Sequence, residues 1–229
     1  MVQQILVAFY RVEILSNRQT EMAKYVETIG AEELEPIREY LDANNLGVNK
    51  YRTKVGEGVS QCLGIVSKRS SAPDLSRQSW LHPRLHYMLM EFGERNVRKH
   101  IDWTSIQVNC NYICAPHKDN GNVGESYIIA FGDYTDGPLC IEGVDYPIHQ
   151  RGLLFDGSQL QHWTRPWTGT RYSIVYHTLR PKFQMVKTLS DYRAVVVDGD
   201  WKIICSDGKY LWKGHGLPHP LKGRKKQKS

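Results

Sequence analysis

Long hydrophobic runs are absent from this chain of 229 residues: it contains no stretch of about 18 consecutive apolar residues, the length typical of a membrane helix. Met1–Tyr10 also lacks the basic region, apolar segment and small-residue cleavage site of a secretion signal. We therefore expect a compact soluble protein that has no membrane contact and is intracellular, in the cytoplasm or the nucleus.

Cysteine is scarce. The five cysteines are Cys62, Cys110, Cys114, Cys140 and Cys205. Their number is odd and no two of them form a Cys-x-x-Cys pair, so neither a disulfide framework nor a structural zinc site is favoured. We expect free thiols in a reducing compartment.

A charge excess is missing from most of the chain. The whole chain has 30 basic and 24 acidic residues. Lys213–Ser229 contains six of the basic residues and none of the acidic ones, so residues 1–212 hold 24 of each sign. The basic end either contacts phosphate or acts as a solubilising tail or targeting signal. Net charge alone therefore does not argue for nucleic-acid binding, which depends on how the charges are arranged on the fold.

Hydrophobic periodicity predicts several elements outside the central part of the chain. Met1–Tyr10 and Gln61–Val66 are typical of strands, whereas Ala31–Asn44 and His82–Phe92 carry apolar residues at helical spacing. Near the end, three β-rich runs separated by Asp-Gly turns predict a small meander in residues 192–212. This meander would either augment the main sheet or provide a platform for nucleic acid.

Two histidines and one aspartate give the main functional signal. His117-Lys-Asp119 follows the alternating run Ile106–Cys114, and His162 follows another short apolar run closed by a turn. Two imidazoles and one carboxylate on one face of a metal leave three positions open, which suits a non-haem Fe(II) oxygenase. The other His-x-Asp pair, His100–Asp102, lies in a polar stretch and is interpreted as a surface feature.

Arg171 and Ser173 are candidates for binding a cosubstrate. They lie in the β-forming run Thr170–His177, where alternation places both side chains on the same face. The planar guanidinium of arginine binds carboxylates in a bidentate manner, so the pair suits the distal carboxylate of 2-oxoglutarate. Asn109 is a further candidate to hydrogen-bond the cosubstrate or the substrate.

Six motifs between Thr104 and Thr178 also carry a family resemblance. They are Gln107–Asn109, Ala115–Asp119, Asn122–Ile129, Phe131–Tyr134, Leu154–Gly157 and His162–Trp163. Together they resemble the 2-oxoglutarate and Fe(II) dioxygenase superfamily, and most of all its TET/JBP-like branch of phages, large DNA viruses, algae, protists and animals.

This resemblance implies a double-stranded β-helix and, for characterised members, oxidation of the 5-methyl group of cytosine or thymine in DNA. It implies that His117, Asp119 and His162 are the iron ligands and that Arg171, together with Ser173, anchors 2-oxoglutarate. The chain has neither the cysteine-rich extension of the animal enzymes nor the J-binding domain of the kinetoplastid ones, so the superfamily is better supported than the substrate.

The expected fold is mixed α/β but mainly β, with a double-stranded β-helix (jelly-roll) core, N-terminal supporting helices and a small C-terminal meander. We expect residues 1–190 to form the dioxygenase domain with its helical support, residues 191–213 the meander, and residues 214–229 a basic tail.

The function that we expect is Fe(II)- and 2-oxoglutarate-dependent hydroxylation, with O₂ as cosubstrate, of the 5-methyl group of a pyrimidine in DNA. Two alternatives stay open: a hydroxylase of a protein side chain or small molecule on the same scaffold, and a non-catalytic binding module. A target base would leave the duplex and stack on an aromatic ring. Trp163, Trp167 and Tyr127 are candidates for that ring, unless they are ordinary core or rim aromatics.

Overall fold

The structure is a computed structural model. It describes residues 22–47, 56–67, 72–180, 185, 187–206, 210–211 and 219–220. The strand expected over Met1–Tyr10 and the basic cluster Lys222–Lys228 lie outside the described residues, and the domain limits stay a prediction. Within the described ranges, no helix is long and apolar enough to cross a membrane.

In the described ranges, three α-helices lie on one side of the molecule: α1 (Ala31–Ala43), α2 (Arg77–Leu81) and α3 (Pro83–Phe92). The helices predicted over residues 31–44 and 82–92 are thus confirmed. In α1, Leu34, Ile37 and Leu41 form one buried face, as their spacing predicts. A π-helical turn at residues 93–97 follows α3, and a short 3₁₀ helix spans residues 189–191.

Sixteen strands are assigned in the described residues. They are β1 (Ala23–Thr28), β2 (Gly56–Val66), β3 (Asp74–Leu75), β4 (Ser105–Cys114), β5 (Asn122–Phe131), β6 (Tyr134–Asp136), β7 (Leu139–Ile141), β8 (Val144–Tyr146), β9 (Arg151–Phe155), β10 (His162–Thr164), β11 (Trp167–Gly169), β12 (Tyr172–Leu179), β13 (Tyr192–Val197), β14 (Asp200–Cys205), β15 (Tyr210–Leu211) and β16 (His219–Pro220). The strand predicted over residues 61–66 is the second half of β2.

The strands form a jelly-roll. A seven-stranded antiparallel sheet has the order β1-β9-β5-β12-β4-β2-β3, and two small sheets, β10-β7-β8 and β11-β6, complete the core. One apolar cluster joins the main sheet to a small sheet and includes Ile128, Leu153 and Ile141. A second cluster joins the opposite face of the main sheet to the helices, for example through Ile174 and Leu89. The expected double-stranded β-helix fold is therefore confirmed.

Strand β12 separates these two clusters, because successive side chains point to opposite faces. Tyr172, Ile174 and Tyr176 are buried in the cluster on the helix side. Val175, which alternates with them, packs against the cluster between the sheets. The face that carries Ser173 and Val175 therefore points toward the small sheets, a direction that the alternation alone did not predict.

The C-terminal meander is present but does not extend the main sheet. Strands β13 and β14 form a hairpin, and with β15 and β16 they make a separate four-stranded sheet. This sheet packs against α2 and α3 through ring contacts between Trp80 and Tyr192, at 6.0 Å, and between Tyr87 and Trp201, at 4.9 Å. The meander thus covers the helices on the side of the molecule away from the small sheets.

Candidate active site

His117, Asp119 and His162 converge in space. Their ligand atoms all lie within 4.8 Å of one another. Nε2 of His117 is 3.7 Å from Oδ1 of Asp119, and Nε2 of His162 is 3.8 Å from Oδ2 of the same carboxylate. The His162 side chain is 8% exposed and that of Asp119 is 20% exposed, so the group is recessed but reachable.

The backbone brings these three residues together. Strand β4 ends at Cys114, and the chain then runs alongside β10, where His117 and His162 exchange backbone hydrogen bonds of 3.1 and 2.9 Å. The amide of Asp119 donates to the carbonyl of Gly157 at 2.8 Å, in the turn after β9. The positions of all three side chains are therefore set by pairing between segments far apart in the sequence.

Both imidazoles are oriented by backbone carbonyls. Nδ1 of His117 donates to the carbonyl of Ala115 at 2.9 Å, and Nδ1 of His162 donates to that of Leu160 at 3.0 Å. A carbonyl only accepts, so each Nδ1 carries the hydrogen and each Nε2 offers its lone pair, as in a metal-ligating histidine. A hydrogen bond with the Cys114 side chain raises the pKa of His117, so protons compete with a metal for this imidazole.

Asn122 and Gly157 lie beside the two histidines and the aspartate, and they were not predicted as site residues. Nδ2 of Asn122 donates to Oδ2 of Asp119 at 3.2 Å, which fixes the carboxylate. At Gly157, a Cβ atom would lie 3.2 Å from Cε1 of His162 and 3.2 Å from the ring of Phe155. Both residues belong to turn motifs in the sequence, but only the folded chain shows that they touch the ligands.

Arg171 is a buried cation with unused donors. It is 3% exposed, and its Nε and Nη2 atoms have no hydrogen-bond partner among the described residues. Its guanidinium carbon lies 5.4 Å from the ring centroid of Tyr134 and 5.7 Å from that of Trp167. Burial lowers the pKa of Arg171, because removal from water disfavours the charged form. Such a group fits an anionic ligand that would satisfy its charge and its donors.

Ser173 and Asn109 lie opposite each other on β12 and β4. Nδ2 of Asn109 donates to Oγ of Ser173 at 3.1 Å. Ser173 is 3% exposed, and Arg171 lies two residues before it, immediately ahead of β12. Of the three residues predicted to bind the cosubstrate, Asn109 and Ser173 are therefore in direct contact, and Arg171 is close to Ser173 along the chain.

The three aromatic residues predicted to stack on a substrate base have other surroundings. Tyr127 is 0% exposed in the cluster on the helix side, so the hypothesis that it contacts a base is wrong. Trp167 packs against Arg171, and Trp163 lies 5.2 Å from the guanidinium carbon of Arg165. Trp163 also alternates with His162 along β10, which places it on the outer face of that strand.

The second His-x-Asp pair is separate from this site. Nε2 of His100 lies 3.5 Å from Oε1 of Glu27, and Asp102 accepts a 2.9 Å hydrogen bond from Arg98. In the part of the chain that the structure describes, His117, Asp119 and His162 are the one group of at least three side chains that is able to hold a metal.

Comparisons with known proteins point to the same fold. No protein-family model matches the chain, and no curated protein matches it in sequence. Among solved structures, NgTET1 in complex with 5mC DNA is similar, with a TM-score of 0.51 and 16% identity over 72% of this chain and 77% of that one.

Two further structures are more distant. An oxidoreductase of the 2OG-Fe(II) oxygenase family from Burkholderia pseudomallei has a TM-score of 0.45 and 15% identity, over 72% of this chain and 88% of that one. A prolyl-4-hydroxylase from Pseudomonas putida has a TM-score of 0.43 and 10% identity, over 73% and 98%. With the sheet order described above, the likeness to NgTET1 shows that this protein is built on the same double-stranded β-helix fold.

Proposed function

We propose that this protein is an Fe(II)- and 2-oxoglutarate-dependent dioxygenase. The observation that carries the proposal is that a two-histidine, one-carboxylate group and a buried guanidinium with two unused nitrogen donors lie on the same side of the main sheet. The ring of His162 contacts Phe155 at 4.9 Å, and Arg171 contacts Tyr134. Both of these aromatic residues belong to, or pack against, the cluster between the sheets.

Each group has a distinct role in this proposal. His117, Asp119 and His162 fit a facial triad, which holds ferrous iron and leaves positions open for ligands. When bound with 2-oxoglutarate, the iron supplies the O₂-dependent oxidation, and the protein positions the reacting groups. Arg171 and Ser173 bind and orient the distal carboxylate, and the apolar residues between the sheets exclude water from it.

For the substrate, we propose the 5-methyl group of a pyrimidine in DNA, either 5-methylcytosine or thymine. The likeness in fold to NgTET1, whose structure holds 5mC DNA, supports this choice. Two exposed cations beside the metal group add to it: Lys118 lies between two ligands, and the amide of Arg180 donates to the carbonyl of Gly121 in the same loop at 2.7 Å. Such cations can contact the phosphates on either side of a flipped base.

Mass spectrometry of nucleosides tests this function. The protein is incubated with Fe(II), 2-oxoglutarate and either methylated or unmethylated duplex DNA, and the oxidised bases are measured. We expect hydroxymethyl pyrimidines from one of the two substrates and none from His162→Ala. Unchanged bases together with succinate release on peptides or small molecules would instead assign a different substrate class. If Fe(II) and 2-oxoglutarate also failed to raise the melting temperature, the chain would be a binding module without this cofactor chemistry.

A further inference from the structure

Four polar side chains form a hydrogen-bonded row across three adjacent strands of the main sheet. Nε2 of Gln107 donates to Oγ of Ser60 at 2.9 Å, and Oγ of Ser60 donates to Oδ1 of Asn109 at 2.6 Å. Nδ2 of Asn109 then donates to Oγ of Ser173 at 3.1 Å. The register explains the row, since Ser60 and Ser173 are each paired with Asn109, from β2 and β12 respectively. We refer to Gln107, Ser60, Asn109 and Ser173 as the cross-strand relay.

All hydrogen bonds of the cross-strand relay are donated in the same direction, from Gln107 toward Ser173. An amide nitrogen only donates, so Gln107 gives a hydrogen to Ser60 and Asn109 gives one to Ser173. Ser60 uses its single hydroxyl hydrogen on Asn109. Oγ of Ser173 is therefore an acceptor within the row, and its own hydroxyl hydrogen is directed away from Asn109. The row therefore ends at the hydroxyl of Ser173, which is a hydrogen-bond donor.

That donor lies beside Arg171. Ser173 shares a face of β12 with Val175, which packs against the cluster between the sheets. The Arg171 guanidinium contacts Tyr134, which packs against the same cluster, so the Ser173 hydroxyl and the guanidinium face one region between the sheets. Nε and Nη2 of Arg171 have no hydrogen-bond partner among the described residues. A ligand that accepts hydrogen bonds and carries negative charge satisfies all of these donors at once, and a carboxylate has the required geometry.

Burial indicates that the row does more than pair the strands. Ser60 is 1% exposed, Gln107 7% and Ser173 3%. Polar groups removed from water cost free energy unless they are hydrogen-bonded, and apolar side chains would fill the same space without that cost. A polar row that ends at the anion-binding arginine is explained if it sets the donor direction of Ser173.

We propose that Gln107, Ser60 and Asn109 are positioning residues, which fix Ser173 as a hydrogen donor to the carboxylate bound by Arg171. This inference rests on the proposed function, in which that group is the distal carboxylate of 2-oxoglutarate. Asn109 then acts through Ser173 and does not itself contact the cosubstrate.

Calorimetric titration without oxygen tests the inference, with Mn(II) in place of Fe(II) so that no turnover occurs. Two ligands are compared: 2-oxoglutarate, and 2-oxobutyrate, which keeps the 2-oxo acid but lacks the distal carboxylate. Ser60→Ala and Gln107→Leu should each weaken 2-oxoglutarate binding about three- to tenfold, the effect of one hydrogen bond, and leave 2-oxobutyrate binding unchanged. Asn109→Asp replaces the donor with a charged acceptor, so it should weaken 2-oxoglutarate binding more than tenfold.

Control variants separate positioning from folding. Ser105→Ala removes a buried serine of β4 whose hydroxyl donates to the carbonyl of Ile65, outside the relay, and it should leave both affinities unchanged. Ser60→Thr keeps the hydroxyl and should restore binding of 2-oxoglutarate. The thermal midpoint of each variant, measured without ligand, shows whether it is folded.

The outcomes are distinguishable. Equal losses for both ligands in Ser60→Ala, or no loss in Ser60→Ala and Asn109→Asp, would overturn the positioning role and leave the proposed function intact. If the unchanged protein bound no 2-oxoglutarate, the proposed function would fail, and the positioning role would fail with it.

Discussion

His117 and His162 face each other across a two-residue antiparallel bridge, with reciprocal backbone hydrogen bonds of 3.1 and 2.9 Å and ring centroids 4.5 Å apart. The bridge holds two ligands at a fixed spacing, and the backbone carbonyls that accept from Nδ1 set the direction of each ring. A metal ion would therefore meet a group that is already assembled, which lowers the entropic cost of binding it.

Removing a member of the triad should abolish metal binding. We expect His162→Ala and Asp119→Asn to lose the rise in melting temperature that Mn(II) or Fe(II) produces, and to reduce turnover at least about 100-fold, because two ligands rarely hold the metal. The matched control is His100→Ala, from the other His-x-Asp pair, which lies against Glu27. Equal loss of metal binding in the control would contradict the assignment.

Gly157→Ala should weaken the metal site with little effect on the rest of the fold. A methyl group at this position would lie 3.2 Å from Cε1 of His162 and from the ring of Phe155, so a ligand must shift. We expect metal affinity to fall by about 10- to 100-fold, as for other changes to groups that orient ligands. Gly121→Ala is the control, since nothing lies within 4 Å of its Cβ position. Metal titration of both variants gives the comparison.

Arg171→Met should stabilise the protein without ligand and weaken its binding of 2-oxoglutarate. Without ligand, the variant should gain about 1–3 kcal/mol in free energy of unfolding, because a buried charge with two unsatisfied nitrogen donors is replaced by an apolar side chain of similar length. Its affinity for 2-oxoglutarate should fall at least about 100-fold, since charge-assisted bidentate bonds are lost. Arg165→Met, which removes an exposed ion pair with Asp145, serves as the control. A destabilised Arg171→Met variant would indicate that the guanidinium is satisfied within the fold.

The stability of the protein should fall in acid partly because of His86. This residue is 1% exposed, its two ring nitrogens have no hydrogen-bond partner among the described residues, and burial lowers its pKa to about 4. Between that value and the usual value of about 6.5, the unfolded state binds a proton that the folded state does not, so stability rises with pH.

Lowering the pH through this window should therefore cost on the order of 3 kcal/mol at His86. His86→Leu should reduce the pH dependence of unfolding by about that amount, whereas His149→Gln, at an exposed position, should not. Denaturant unfolding at several pH values between 4 and 7 measures the difference. An unchanged slope in His86→Leu would show that this imidazole finds a proton acceptor in the folded state.

Lys118 and Arg180 should contribute to DNA binding. Neutralising either one, as in Arg180→Gln, should reduce the slope of log K against log salt concentration by about one unit, because one phosphate contact is lost. Arg193→Gln, on the meander, is the control and tests the alternative that the C-terminal sheet is the nucleic-acid platform. A larger effect at Arg193 would indicate that DNA binds to the meander instead. Binding to a short duplex at several salt concentrations provides the data.

Much of the site was accessible from the sequence because its signals are local. Alternation in the β-forming run Thr170–His177 predicts one face for Arg171 and Ser173, although β12 itself begins at Tyr172. Turn residues after β4 place His117 and Asp119 at a strand end. Gly157 and Ser60 were not predicted as site residues. Their importance comes from contacts with His162 and Asn109, and Ser60 is 49 positions away from Asn109 in the chain.

Tyr127 shows a different limit of prediction from the sequence. Period-two alternation predicts that its neighbours face the opposite way, but it does not tell which face of β5 is covered by helices and which by the small sheets. That choice is made by the packing of α3 and of the turn that follows it, against which Tyr127 and Tyr176 are buried. The sequence around Tyr127 does not indicate which face of β5 the helices cover.

The division of apolar residues into two clusters on opposite faces of the main sheet has a consequence for how such a protein changes over time. Substitutions on the side of the small sheets alter the space around the candidate metal group, while the larger cluster against the helices keeps the scaffold folded. In an enzyme of the kind we propose, substrate preference can therefore drift over generations without loss of the architecture.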